Sequence, residues 1–168
     1  ETEQSDPFQP NSAAENLLLS SGARIVHRPA DEAFYHPIRD LIQLPTKAQF
    51  HDEGGYYATA LHELTHWTGH HARLQREGMT SACPFGSPGY ALEELIAEMG
   101  AAFLCAYADI QGELRHEGYI DSWLGLLKAD KRAIFRASGQ ARCASEYVLD
   151  LEQQQKQTLM DDSRCMKN

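Results

Sequence analysis

Tyr57-Ala-Thr-Ala-Leu-His-Glu-Leu-Thr-His-Trp-Thr-Gly-His70 is the stretch that decides the fold. An α-helix brings residues four apart onto one face. His62 and His66 can therefore offer ring nitrogens to a single ion, while Glu63 leans toward the coordination position left open. Ala58, Ala60, Leu61, Leu64, Thr65 and Trp67 surround the three with small and apolar residues, the pattern of a helix buried in its domain. Gly54 and Gly55 precede the run, and Gly69 follows where a helix can end in a left-handed cap. H-E-x-x-H on such a helix predicts the metal site of a zinc peptidase.

A catalytic zinc takes three protein ligands and a water, so the chain must supply one more donor. A glycine followed by a third histidine ten residues after His62 is one route, but that position is Ala72, and His70 and His71 fall short of it. The other route is a glutamate from the next long helix, where Tyr90-Ala-Leu-Glu-Glu-Leu-Ile-Ala-Glu-Met-Gly-Ala-Ala-Phe103 offers three. Glu94 and Glu98 are four apart and share a face, with Leu95, Ile96, Met99 and Phe103 as an apolar stripe beside them. Glu94 is expected on the metal, and Glu98 in a hydrogen bond that orients a ligand histidine. Glu93 can exchange roles with Glu94.

Outward from these two helices, the layout runs strands first and helices later. Residues 1–11, with Pro7 and Pro10, read as a flexible lead-in, and Ser12–Leu19 as a short helix. Ala23–His27, Glu32–His36 and Asp40–Leu44 are rich in Ile, Val, Phe, Tyr and Leu and predict a small antiparallel sheet. Helices are expected over Tyr56–Thr68, Tyr90–Asp109, Tyr119–Leu127, Lys131–Ser138 and Ala141–Gln154, with a disordered tail over 156–168. A sheet followed by a helical half is an α+β arrangement, one domain over 12–155, with the metal cleft where the halves meet. The Gly- and Pro-rich loop Gly78–Gly89 is placed to border that cleft.

The chain has 168 residues, 42% of them apolar and 23% charged, and no apolar run of membrane-spanning length, so a soluble, cytoplasmic protein is expected. Its first residue is Glu1, so sequence beyond these bounds is expected to carry further functions. A net charge of -9 argues against a nucleic-acid surface, and Lys128, Lys131, Arg132, Arg136 and Arg142 read as a solvated helix face. Cys83, Cys105, Cys143 and Cys165 form no C-x-x-C pair, and Cys105 and Cys143 lie in apolar helical patterns that read as core.

The expected chemistry is hydrolysis of a peptide or protein substrate by a zinc-activated water. Glu63 would take the water's proton and pass it to the leaving amine. A further donor is needed for the developing oxyanion, with Tyr90, Tyr119 and His116 as candidates. The segment Glu32–His36 is placed to receive a peptide by strand addition, and His36 to touch it.

Leu44-Pro45, Phe50, Tyr56-Tyr57, the run His62–His70, Arg73-Leu74, Phe85-Gly86, the run Tyr90–Leu104, Tyr119-Ile120, Trp123-Leu124 and the Ala-rich closing helix carry a family resemblance. Over roughly residues 15–150 the chain resembles the C-terminal metallopeptidase domain of ArdC/TraC-type plasmid antirestriction proteins. The resemblance implies a zincin-like fold of the gluzincin kind, with His62, His66 and Glu94 on one zinc ion and Glu63 as base. It implies a single-stranded-DNA-binding domain ahead of this one, so DNA binding is expected from a separate N-terminal domain absent here. It also implies a whole protein that helps incoming mobile DNA escape host restriction. Two readings follow: an active zinc endopeptidase domain, or a metal-stabilised interaction module in a DNA-protection protein that cuts nothing. The presence of Glu63 favours the first, because a purely structural site has no use for a base beside an open position.

Overall fold

Strand β3 (Leu41–Pro45) holds the centre of a three-stranded sheet, with β1 (Arg24–Arg28) on one side and β2 (Phe34–His36) on the other. The computed structural model describes residues 8–80, 83, 84, 86–111 and 120–165. β2 and β3 form a hairpin, Tyr35 opposite Ile42, whose turn ends at Asp40 with φ 46°. β1 runs parallel to β3, Ile25 opposite Ile42, so the sheet is mixed rather than antiparallel as its composition suggests. The reason is the order of insertion: the chain leaves β1, crosses to the far edge as β2, then turns back into the gap. Composition reports half-buried extended backbone and says nothing about that crossing. The central strand is the most buried, with Ile42 and Leu44 wholly enclosed.

The helices are α1 (Ser12–Ser21), α2 (Glu53–Thr68), the short α3 (Glu77–Thr80), α4 (Pro88–Tyr107), α5 (Ile120–Ala129) and α6 (Ala133–Cys165). Each long helix near the site starts on a side-chain cap. The Asp52 carboxylate accepts from the Gly55 N–H at 2.7 Å, and the Ser87 hydroxyl accepts from the Tyr90 N–H at 3.2 Å with Pro88 in the first turn. Asn11 caps α1 in the same way, and Phe8 ahead of it packs on Tyr56 and Tyr57. Gly69 ends α2 at φ -76°, not in the left-handed region expected of it. A Cβ there would come within 2.6 Å of Met79 and 2.7 Å of Arg76, so glycine serves close packing rather than a turn.

Two expected C-terminal helices are one. Gly139 sits on the exposed face of α6 with nothing within 4 Å of where its Cβ would be, so it costs only about 1 kcal/mol of helix propensity and does not break the helix. The residues expected as a tail after Gln155 continue α6 through Cys165. Lys156, Gln157, Leu159 and Met160 favour helix, and the i, i+4 pairs Lys156–Glu152 and Gln157–Asp161 support it, although the side chains of residues 156–163 are exposed. Cys105 is buried as expected, whereas Cys143 faces solvent, on the same stripe of α6 as Arg136. Among the described residues no helix is long and apolar enough to cross a membrane.

α2 is the spine of the molecule, packed between the sheet, α4 and α6. Tyr57, Leu61 and Leu64 are fully enclosed beside Leu17, Ile42, Leu44 and Leu104. The α2–α4 crossing is held close by Gly100, where a Cβ would approach Thr65 Cγ2 to 2.5 Å. Thr65 is wholly buried and adjoins His66. Gly100→Ala is therefore expected to cost about 1–3 kcal/mol in urea unfolding through overpacking, with Thr65→Ala restoring part of it; an unchanged midpoint would contradict this reading of the crossing.

The other face of the site is set by Arg73. Its guanidinium stacks 3.8 Å over the Trp67 ring, donates to the Trp67 carbonyl at 2.6 Å and to the Tyr35 hydroxyl at 3.2 Å, and forks onto both oxygens of Asp40. The β2–β3 turn is thereby tied to the end of α2, which holds the edge strand β2 against the helix that carries His62 and His66.

Candidate metal centre

On α2, His62 and His66 turn toward each other, their Nε2 atoms 3.1 Å apart. α4 brings Glu94 across them, with Oε2 3.5 Å from His62 Nε2 and Oε1 3.6 Å from His66 Nε2. One donor atom from each of the three lies within 4.8 Å of the others. Four-coordinate zinc with bonds of 2.0–2.2 Å needs donors roughly 3.3–3.6 Å apart, so this set is close to what such an ion takes, and two imidazoles with a carboxylate suit it chemically. Glu98, one turn further along α4, faces His62 Nδ1 at 3.6 Å.

Glu93 stands elsewhere than in the exchange of roles considered from sequence. Its Oε1 meets His66 Nδ1 at 3.2 Å, and both of its oxygens accept from Arg76. It faces the far side of the ring, away from the shared point of the three donors. Glu63 is buried next to them and accepts a hydrogen bond from the Tyr35 backbone N–H, which links the base candidate to β2. Tyr90 lines the same cleft, while Tyr119 and His116 lie outside the described residues. The cleft holds about 290 Å³ and is bordered by Ala33, Phe34 and Tyr35 on one side and by Gly78 and Met79 on the other. Gly78 and Met79, the first residues of the expected loop, border it from within α3, and His36 is not among its walls.

The electrostatics follow from burial and opposed charges. Burial works against a charged His62, but Glu94 and Glu98 override it and its pKa is pushed up to about 9. Burial likewise opposes charge on His66, which Glu93 and Glu94 override, to about 10. Glu94 is held well below the usual carboxylate range: its burial is outweighed by the two rings. Burial pushes the Glu63 carboxyl up, against the pull of His66 and His62.

The carboxylates around the rings therefore favour protonated imidazole in the ion-free site, where the two Nε2 atoms stand at hydrogen-bond distance. Because these pKa values are raised above the unfolded value, the stability they contribute is present through neutral pH and is lost as pH rises through about 9 and then about 10. An incoming divalent ion must displace those protons. Calorimetric titration with a divalent metal, in two buffers of different ionisation enthalpy, is expected to show proton release and an affinity that rises from pH 6 to pH 8. An affinity flat across that range would contradict it.

Arg76 was not foreseen. It sits in the run His70–Glu77, outside every helix and strand expected from the sequence, and nothing in that run marks it for burial. Its burial is a product of the chain folding back under α4, a tertiary event with no local signature.

The chain is similar to known proteins in sequence and in fold. The family described as zincin-like metallopeptidase, MPTase-PolyVal, matches residues 12–140. The chain is 48% identical over 143 residues to the DNA primase TraC of Escherichia coli, covering 84% of this chain and 13% of TraC. Its fold is similar to the Mn(II)-bound crystal structure of the antirestriction protein ArdC from the R388 plasmid, with TM-score 0.76 and 38% identity over 86% of this chain and 54% of that one. The metal-free ArdC crystal structure is similar to the same degree, with TM-score 0.76 and 37% identity over 88% and 53%. The chain thus spans about an eighth of TraC and about half of ArdC.

Proposed function

Since this chain belongs to the zincin-like metallopeptidase family, of the ArdC/TraC type, we propose that it hydrolyses peptide bonds, with His62, His66 and Glu94 holding one divalent cation and Glu63 as general base. The observation that carries this reading is the position of Glu63, buried beside a compact three-residue donor set at the wall of an open cleft. When bound, the cation supplies Lewis-acid polarisation of a water and of the scissile carbonyl. Glu63 takes the attacking water's proton and delivers it to the leaving amine. Its upward-shifted carboxyl binds that proton more readily than an exposed glutamate would. Tyr90, on the same cleft wall, is the donor available to the developing oxyanion. Glu98 orients the His62 ring from behind.

The substrate is read as an extended peptide. β2 is an edge strand, and Ala33, Phe34 and Tyr35 border the cleft, so a peptide can pair with its free side by backbone hydrogen bonds. Phe34→Pro, which removes a backbone donor directed at β3 and so distorts the edge strand, is expected to raise KM while metal content stays at the wild-type level. An unchanged KM would remove the strand-addition idea.

The domain is further read as one part of a longer cytoplasmic protein of mobile DNA, of the antirestriction kind, in which DNA is bound by a separate domain. Zinc is the cation proposed, with manganese as the comparison because the related ArdC has been crystallised with Mn(II). The deciding experiment is digestion of a broad peptide library by the metal-loaded protein, read by mass spectrometry. Cleavage should stop with a chelator and return with zinc or manganese. A fully loaded protein that cuts nothing would favour the other reading, a module in which the cation stabilises the fold for binding a partner.

A further inference from the structure

Arg76 follows α2 by eight residues in a polar loop, yet only 6% of it is exposed. Its guanidinium donates to both oxygens of Glu93, Nε to Oε2 at 3.0 Å and Nη2 to Oε1 at 2.6 Å. It also donates to the Thr68 hydroxyl and the Thr65 carbonyl, each at 2.7 Å, in the last turn of α2. Glu93 Oε1 in turn meets His66 Nδ1 at 3.2 Å, while the other nitrogen of that ring faces His62 and Glu94. Room for the cluster is left by two glycines. A Cβ on Gly69 would approach Arg76 Nη2 to 2.7 Å, and one on Gly78 would approach Glu93 Cβ to 2.8 Å.

We infer that Arg76 is a positioning residue for the metal centre: its planar fork fixes the Glu93 carboxylate, and through that carboxylate the ring of His66. The inference rests on the metal-site reading above and adds a residue that touches neither metal nor substrate, since Arg76 is absent from the cleft walls. A carboxylate turns easily about its last bond; two parallel N–H···O bonds fix its plane and the direction of the oxygen that the ring meets. The hydrogen bond at one imidazole nitrogen decides how the other is presented, so an anchored Glu93 aims His66 Nε2 at the point shared with His62 and Glu94. Arg76 is also the cation buried against Glu93, in a cluster where Glu94 and Glu98 add further carboxylates. A lysine would keep the charge and lose the fork.

The competing role for Arg76 is simply to tie down the end of α2 through Thr65 and Thr68, and the test separates the two. Affinity for Co(II), and the visible absorption spectrum of the Co(II)-loaded protein, are measured for wild type, Arg76→Lys, Glu93→Gln and the double variant. Arg76→Lys is expected to bind about 10- to 100-fold more weakly with an altered spectrum, the size of effect seen when the partner of a ligand histidine is disturbed. In the Glu93→Gln background the same change should cost far less, because its route to His66 is already broken. Wild-type affinity and spectrum in Arg76→Lys, or an equal loss in both backgrounds, overturns the inference. Should Arg76→Lys fail to fold, Glu93→Gln alone decides: weakened binding with an altered spectrum supports it, and wild-type behaviour overturns it. Wild-type protein that takes up no Co(II) fails differently, by removing the metal site on which the inference stands.

Discussion

Glu63→Gln is expected to lower peptide cleavage by about 10²- to 10⁴-fold, the usual contribution of a positioned general base, while metal content stays at one ion per chain. Three features make this substitution clean. The amide has the shape of the carboxyl and keeps an oxygen to accept the Tyr35 N–H, so the link to β2 survives. Glu63 is not one of the three residues whose donor atoms converge, so metal uptake has no reason to change. Burial already disfavours the charged form of this carboxyl, so a neutral isostere should leave the melting temperature unchanged or raise it. Kinetics, metal analysis and thermal melting on one preparation check the account. Retained cleavage would remove Glu63 as base, and lost metal would mean that it supports the ion.

Glu94→Ala is expected to abolish stoichiometric metal binding, and with it all cleavage. Two imidazoles from one helix remain, but the carboxylate that closes the set is gone, and two donors hold a divalent ion poorly. The variant also strips both rings of an anion that favours their charge, the leading one for His62 and second to Glu93 for His66, so both pKa values should fall, that of His62 more. Glu98→Ala offers the contrast. Its carboxylate faces the rear nitrogen of His62, and its loss should weaken binding only about 10- to 100-fold. Metal analysis after dialysis, with NMR titration of the histidine rings, distinguishes the two. Full metal occupancy in Glu94→Ala would remove it from the ligand set.

Much of this site is legible in the sequence because its information is local. Helical periodicity fixes that His62 and His66 share a face, and the same spacing puts Glu94 and Glu98 together on α4. What decides between Glu93 and Glu94 is not local. Both are glutamates at the start of one helix, and only the rotation of α4 against α2, set by the close contact of Gly100 with Thr65, sends one toward the paired rings and the other toward Arg76. The sheet shows the same limit. Its strands are readable from β-branched and aromatic content, but the parallel pairing of β1 with β3 depends on where β2 crosses. Gly139 misleads in the opposite direction, since its local preference against helix is outweighed by the packing of α6 along α4 and α1.

The most direct test of the central claim is a crystal structure of the metal-loaded protein with anomalous data collected at the zinc and manganese absorption edges. One anomalous peak is expected within bonding distance of His62 Nε2, His66 Nε2 and a Glu94 carboxylate oxygen, with Glu63 beside its open side. A peak elsewhere in the molecule, or an ion bound by Glu93 in place of Glu94, would contradict the account.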